Sequence, residues 1–241
     1  MECKNCGQDL EGNFCKNCGQ KSDIRKIGFG YLLDEIPNSI FQVNRGLFFT
    51  VKELFIRPGH SIREFLEGKR KNHYKPLAFF FLTSSVYFLT NYFIGHQTFI
   101  GDFIVGFKEG LENGEHYVLD WISQNQTYFI LSILPFFSLA SYLAFIKSAY
   151  NYFEHFVLNL YITGQQMLIY TFFSFIEDRD GVIILLPILL GTILNFLAFI
   201  QFFNKKKFLK TISLILLTYI IFIILAFLGM FMLVGILKGF K

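Results

Sequence analysis

The sequence predicts an all-α membrane protein, and three observations carry that expectation. Hydrophobic residues make up 53% of the chain, with 33 Phe and 12 Tyr, an aromatic load beyond what one soluble core of 241 residues needs. Five windows approach or exceed the roughly 20 apolar residues that a spanning helix requires. The remaining charge is gathered before residue 77 and in short connections instead of being spread along the chain.

Residues 1–22 read as a small metal-held module. The hexapeptide Cys3-Lys4-Asn5-Cys6-Gly7-Gln8 recurs as Cys15-Lys16-Asn17-Cys18-Gly19-Gln20. In each copy a two-residue spacer lets both thiolates reach one ion, and the following glycine permits the positive-φ turn that aims backbone N–H groups at sulfur. Together Cys3, Cys6, Cys15 and Cys18 predict a four-cysteine zinc ribbon. A redox dithiol pair and an iron site are weaker readings, because a closed set of four thiolates leaves no open position for chemistry. So short a module has no core of its own, and a structural zinc is expected to supply its folding energy. No other cysteine occurs, which leaves none for disulfides elsewhere. The N-terminus lacks the apolar stretch of a secretory signal and is expected in the cytoplasm.

Residues 23–76 read as amphipathic interfacial helices. Phe29, Leu32, Leu33, Ile36 and Ile40 fall at helical spacing, with Pro37 as the expected bend. Leu47, Phe48, Val51, Leu54 and Phe55 repeat the pattern until Arg57-Pro58-Gly59 stops it. Ser61-Ile62-Arg63-Glu64 has the form of a capping box, opening a third short helix through about Lys69. None of the three is long or apolar enough to span. They either pack on one another as a small helical domain or rest on an anionic inner leaflet. In the second case Arg57, Arg63, Lys69, Arg70, Lys71 and Lys75 face lipid phosphates, each contributing about 1 kcal/mol.

These motifs together carry a resemblance. The paired CxxCG knuckles, Asn44-Arg45-Gly46, Thr50, Arg57-Pro58-Gly59, Ile62, Gly68-Lys69-Arg70, Tyr74 and Pro76, with Glu154-His155 at the start of a later helix, resemble an uncharacterised family of bacterial multi-pass proteins, domain-of-unknown-function family three-six-six-seven. The resemblance covers roughly residues 1–95. It implies an integral protein of the bacterial inner membrane with a cytoplasmic zinc ribbon, and it brings no established activity or catalytic residues.

Residues 77–241 read as a bundle of about five transmembrane helices, at about 77–94, 127–146, 156–176, 182–203 and 211–237. The 96–126 loop is acidic, with Asp102, Glu109, Glu112, Glu115 and Asp120 against Lys108. By the positive-inside rule the N-terminus and the Lys205–Lys210 connection are cytoplasmic, and the acidic loop and Glu177-Asp178-Arg179-Asp180 lie outside. Pro135 and Pro187 are expected to interrupt the second and fourth spans.

On the third span, Glu154 and His155 stand at the mouth, and His155, Asn159, Thr163 and Gln166 share one face. Those residues either hold the bundle together by interhelical hydrogen bonds or line a polar cavity gated by Glu154 and His155. No H-E-x-x-H, G-x-S-x-G or buried Asp pair accompanies them, which makes an enzyme the weaker class. Nucleic-acid binding is not expected of the ribbon either, since Glu2, Asp9 and Glu11 interleave its basic residues and Phe14 is its one aromatic. The sequence therefore favours a non-enzymatic scaffold or regulatory membrane component whose ribbon docks a protein partner. The alternative is a small-molecule or lipid transporter using the third-span face.

Overall fold

The computed structural model describes residues 1–32, 46–95, 101, 119–120, 122, 126–176, 185–203 and 208–239. The expected bend at Pro37, most of the acidic loop, the Glu177–Asp180 connection and Lys205–Lys207 lie outside the described residues. Seven helices have described bounds: α1 (Gly46–Ile56), α2 (Pro58–Glu67), α3 (Pro76–Ile94), α4 (Gln126–Ala144), α5 (Tyr152–Phe173), α6 (Leu186–Phe203) and α7 (Phe208–Gly239); residues 29–32 are helical as well. No strand occurs among the described residues; the N-terminal module has two isolated antiparallel bridges, Glu2 with Asp9 and Phe14 with Lys21.

Three of these helices are long and apolar enough to cross a membrane: α3, α6 and the Phe208–Ala226 part of α7. In α4 the apolar run is shorter, Phe129–Ala144. At 22 residues α5 is long enough, but Asn159, Gln165 and Gln166 lower its apolar content. It is nevertheless the centre of the bundle, packed on α3, α4 and α6, while α7 packs on α4 and α6. Gly164 permits the close packing of α5 on α3, since a Cβ there would stand 2.7 Å from the Phe79 ring.

Local sequence explains the helix ends, with two departures from expectation. Ser61 does not open α2. Pro58 does, because its fixed φ suits the first helical position and its missing N–H is not needed there. Ser61 lies three residues inside, with its Oγ 3.1 Å from His73 Nε2. Pro187 does not interrupt α6 for the same reason, as it occupies the first turn. Pro135 is inside α4, as expected.

Gly59 is more than a helix stop. A Cβ on it would lie 2.2 Å from the Ala198 carbonyl oxygen and 2.3 Å from Phe202 N, so α2 crosses α6 backbone against backbone. The Gly59 N–H donates to Gln201 Oε1 (3.1 Å) and Arg63 donates to the Gln201 carbonyl (2.8 Å). The short helices are thereby built onto one end of the bundle. The chain between α2 and α3 is tied in as well: the Tyr74 N–H donates to Thr50 Oγ1 of α1 (2.7 Å), and the Tyr161 hydroxyl of α5 donates to the Tyr74 carbonyl (2.5 Å). Gln165 adds a bond from α5 to the Leu54 carbonyl of α1 (2.9 Å).

Candidate metal centre and its docking turn

The duplicated hexapeptides fold alike. Cys3 N–H donates to the Gln8 carbonyl and Gly7 N–H to the Cys3 carbonyl; Cys15 with Gln20 and Gly19 with Cys15 repeat the pair, all four at 2.8 Å. Gly7 (φ 76°) and Gly19 (φ 70°) take the left-handed conformation that the turn demands. As a result the four Sγ atoms lie within 4.8 Å of one another, with Cys3 to Cys18 at 3.6 Å and Cys6 to Cys15 at 3.5 Å. A tetrahedral thiolate site with metal–sulfur bonds near 2.3 Å has sulfur–sulfur edges of about 3.8 Å, so this set fits a metal ion. The spacing is far beyond a disulfide bond. The thiols differ in their surroundings. The Cys18 backbone N–H, foremost among several donors, holds Cys15 down at about 6. At Cys6 the Gln8 backbone N–H is the largest single influence and lowers the pKa, but desolvation and the neighbouring Cys15 and Cys18 thiols together push it up to about 11.

The two knuckles differ in what they touch. Helix α2 ends in a Schellman turn: Gly68 is left-handed (φ 110°), Lys69 N–H donates to the Glu64 carbonyl and Gly68 N–H to the Phe65 carbonyl. Gln20, at the end of the second knuckle, reads this turn with both ends of its carboxamide. Its Nε2 donates to the Gly68 carbonyl (2.9 Å), and its Oε1 accepts from the N–H groups of Arg70 (3.0 Å) and Lys71 (3.1 Å). Gln20 is only 5% exposed. Lys71 lies over Gly19, and Lys4 of the first knuckle lays its stem against Gly68. Gln8, the counterpart of Gln20, faces solvent, and nothing stands within 4 Å of a Cβ on Gly7.

The six basic residues expected at lipid are placed as follows. Arg57 makes a two-pronged pair with Glu64 (3.0 and 3.2 Å) and also reaches Glu53. The bond to Glu64 is the main reason that the Arg57 pKa is raised, and in return Arg57 draws the Glu64 carboxyl below its usual range despite partial burial. Lys69 lies 3.7 Å from Glu64. Arg63 is held at Gln201 and His60 Nδ1 (2.7 Å). Arg70 donates to the Phe65 and Arg25 carbonyls and sits over the Tyr31 and Phe65 rings. Lys71 covers the second knuckle, and Lys75 precedes α3 as its N-cap residue. On α1, Phe48, Phe55 and Ile56 are exposed, away from the buried Thr50 and Leu54.

The third-span polar residues divide among several jobs. Glu154 is buried in a capping box: its N–H donates to Asn151 Oδ1 (3.0 Å) and its Oε2 accepts from Asn151 N (2.7 Å). His155 Nδ1 lies 3.0 Å from Ser141 Oγ of α4, and Asn159 donates to Ser138 Oγ (3.1 Å) and Ser141 Oγ (3.3 Å). Gln166 packs instead on Gly191 of α6, and Thr163 is half-buried. Residue 165, one position from the expected face, makes the bond to α1. Reading Ser138 and Ser141 as part of an apolar run concealed them, although their i, i+3 spacing puts them on one face. The Asn151-x-x-Glu154 pattern was a legible capping signal.

No curated protein and no solved structure matches the chain. A family model described as a protein of unknown function (DUF3667) matches residues 44–88, which hold α1, α2, the docking turn and the first part of α3. Over that segment the chain resembles that family, as the Arg57-Pro58-Gly59 and Gly68-Lys69-Arg70 motifs lead one to expect.

Proposed function

We propose that the protein is a non-enzymatic membrane scaffold whose zinc ribbon presents its first knuckle to a protein partner. The observation that carries this reading is the asymmetry of two identical hexapeptides, one engaged by the chain's own turn through Gln20 and the other facing solvent at Gln8. Zinc held by Cys3, Cys6, Cys15 and Cys18 would act structurally, and a closed four-thiolate site offers no open position for a substrate.

In this reading five helices span a bacterial inner membrane, α3 to α7, with the N-terminus cytoplasmic by the distribution of Lys and Arg. Central α5 can be one of them despite its polar residues, because His155, Asn159 and Gln165 spend their hydrogen bonds on neighbouring helices and not toward lipid. Phe48, Phe55 and Ile56 of α1 suit burial at the inner leaflet, with anionic lipids attracted to the nearby basic residues. The transporter reading retains one supporting observation: His155 Nε2 and Asn159 Oδ1 are buried with no hydrogen-bond partner among the described residues.

A photoreactive side chain at position 8 or 20 of the full chain, activated in native membranes, tests the scaffold. Position 8 should give a discrete adduct of this chain with a second protein, lost in Cys6→Ser. Position 20 should link only internally, to residues 68–71. Lipid adducts alone, or none, at position 8 would overturn the reading.

A further inference from the structure

Resting on that docking role, we infer that the first knuckle recognises a protein helix ending in a left-handed glycine turn followed by basic residues, with Gln8 repeating toward the partner the bonds that Gln20 makes at Gly68. The second knuckle supplies the precedent within this chain. Its recognition device is a single carboxamide that caps a Schellman turn by donating to the glycine carbonyl and accepting from the N–H groups two and three residues later. The Arg70 N–H also reaches the Gly68 carbonyl (3.0 Å), whereas the Lys71 N–H has no backbone acceptor among the described residues, so the carboxamide satisfies a donor that would otherwise go to water. The first knuckle has the same six residues, the same turn bonds and the same glycine conformation, so Gln8 leaves the turn in the corresponding place. The space before it is open where Lys71 occupies the second knuckle.

What flanks each knuckle sets the charge of the guest. Glu2 and Asp9 are bridged beside the first knuckle, and the positions that correspond to them beside the second are Phe14 and Lys21. The second knuckle holds Gly68-Lys69-Arg70-Lys71 although Lys21 is nearby. The first offers the same bonds within an acidic frame, which favours a basic turn more strongly. The chain's own Gly68 turn is already taken by Gln20, so the occupant is another polypeptide with that chemistry.

The experiment uses the full chain, zinc-loaded and 15N-labelled in detergent micelles, and a side-chain-stapled peptide with the sequence of residues 58–71. The Gly7 N–H and Gln8 side-chain amide signals should shift and saturate. Affinity should fall about tenfold in Gln8→Ala, as expected for losing up to three exposed hydrogen bonds. It should fall as much for a peptide carrying Gly68→Val, which cannot adopt the left-handed turn. Gln8 is exposed, so Gln8→Ala should keep its metal, which zinc content checks. Unmoved signals, shifts confined to Gln20, or equal affinity for the Gly68→Val peptide would each overturn the inference. Failure here with the position 8 protein adduct intact retires the glycine-turn guest alone; loss of that adduct retires the docking role with it.

Discussion

Two copies of Cys-Lys-Asn-Cys-Gly-Gln sit twelve residues apart in this protein and reach opposite surroundings. Their internal hydrogen bonds agree at 2.8 Å and their glycines agree within a few degrees, yet Gln20 is buried against Gly68 and Gln8 is in solvent. Local sequence determines the turn and its metal ligands. Position relative to α2 determines what the turn touches. A repeat is thus evidence about ligation and no evidence about packing.

The largest effect should come from removing what the two copies share. Cys6→Ser and Cys15→Ser, one from each knuckle, should both lose the metal and unfold residues 1–22, because each thiolate is a quarter of one site. Metal content measured on the purified proteins checks this, and one variant that keeps a full equivalent would break the shared site. A smaller effect separates the copies. Gln20→Ala strands the Lys71 N–H and leaves the Arg70 N–H and the Gly68 carbonyl only their bond to each other, and should weaken the attachment of the ribbon by about 1–3 kcal/mol, whereas Gln8→Ala should change it little. Proteolysis rates in the 21–27 segment would report the difference.

The smallest effect is one of pH at the docked side. Burial keeps His73 neutral and lowers its pKa in the fold, although Glu64 and Glu53 act in the opposite sense. The unfolded chain takes up that proton first, so stability is complete above the unfolded value of about 6.5 and is lost as pH falls below it. Glu64 adds to the loss at lower pH, since its lowered pKa stabilises the fold only above the ordinary carboxylate range. Exchange of the Tyr74 amide, bonded to Thr50, should therefore quicken between pH 7 and 5, and less so in His73→Phe. Equal acceleration in the two would remove His73 from the account.

Much of the candidate site is legible in the sequence, for physical reasons that also mark where legibility stops. Thiolate spacing and positive-φ glycine are local requirements, so the four-cysteine cluster follows from Cys3 to Gly19. Arg57-Pro58-Gly59 signals a helix boundary equally locally, but Gly59 as the crossing point with Ala198 and Phe202 is a contact across more than a hundred residues, with no local trace. Gln20 is the same case, since its sequence neighbours are those of Gln8. Glu154 shows a different limit: a titratable group at a helix mouth invites a functional reading, while its capping pair with Asn151 is a local pattern that the sequence also carries. Ser138 and Ser141 went unnoticed because hydroxyls that bond their own helix pass unseen in an apolar run.

Amide exchange at Arg70 and Lys71, with zinc bound and after chelation, tests most directly whether the metal-held ribbon is built onto the membrane bundle through Gln20. Chelation should abolish protection at the Lys71 amide, because the carboxamide that accepts from it unfolds with the ribbon, and should change the Arg70 amide less, since it also donates to the Gly68 carbonyl, while α3 and α5 amides stay protected. Unchanged protection at Lys71 in the chelated protein would contradict the account.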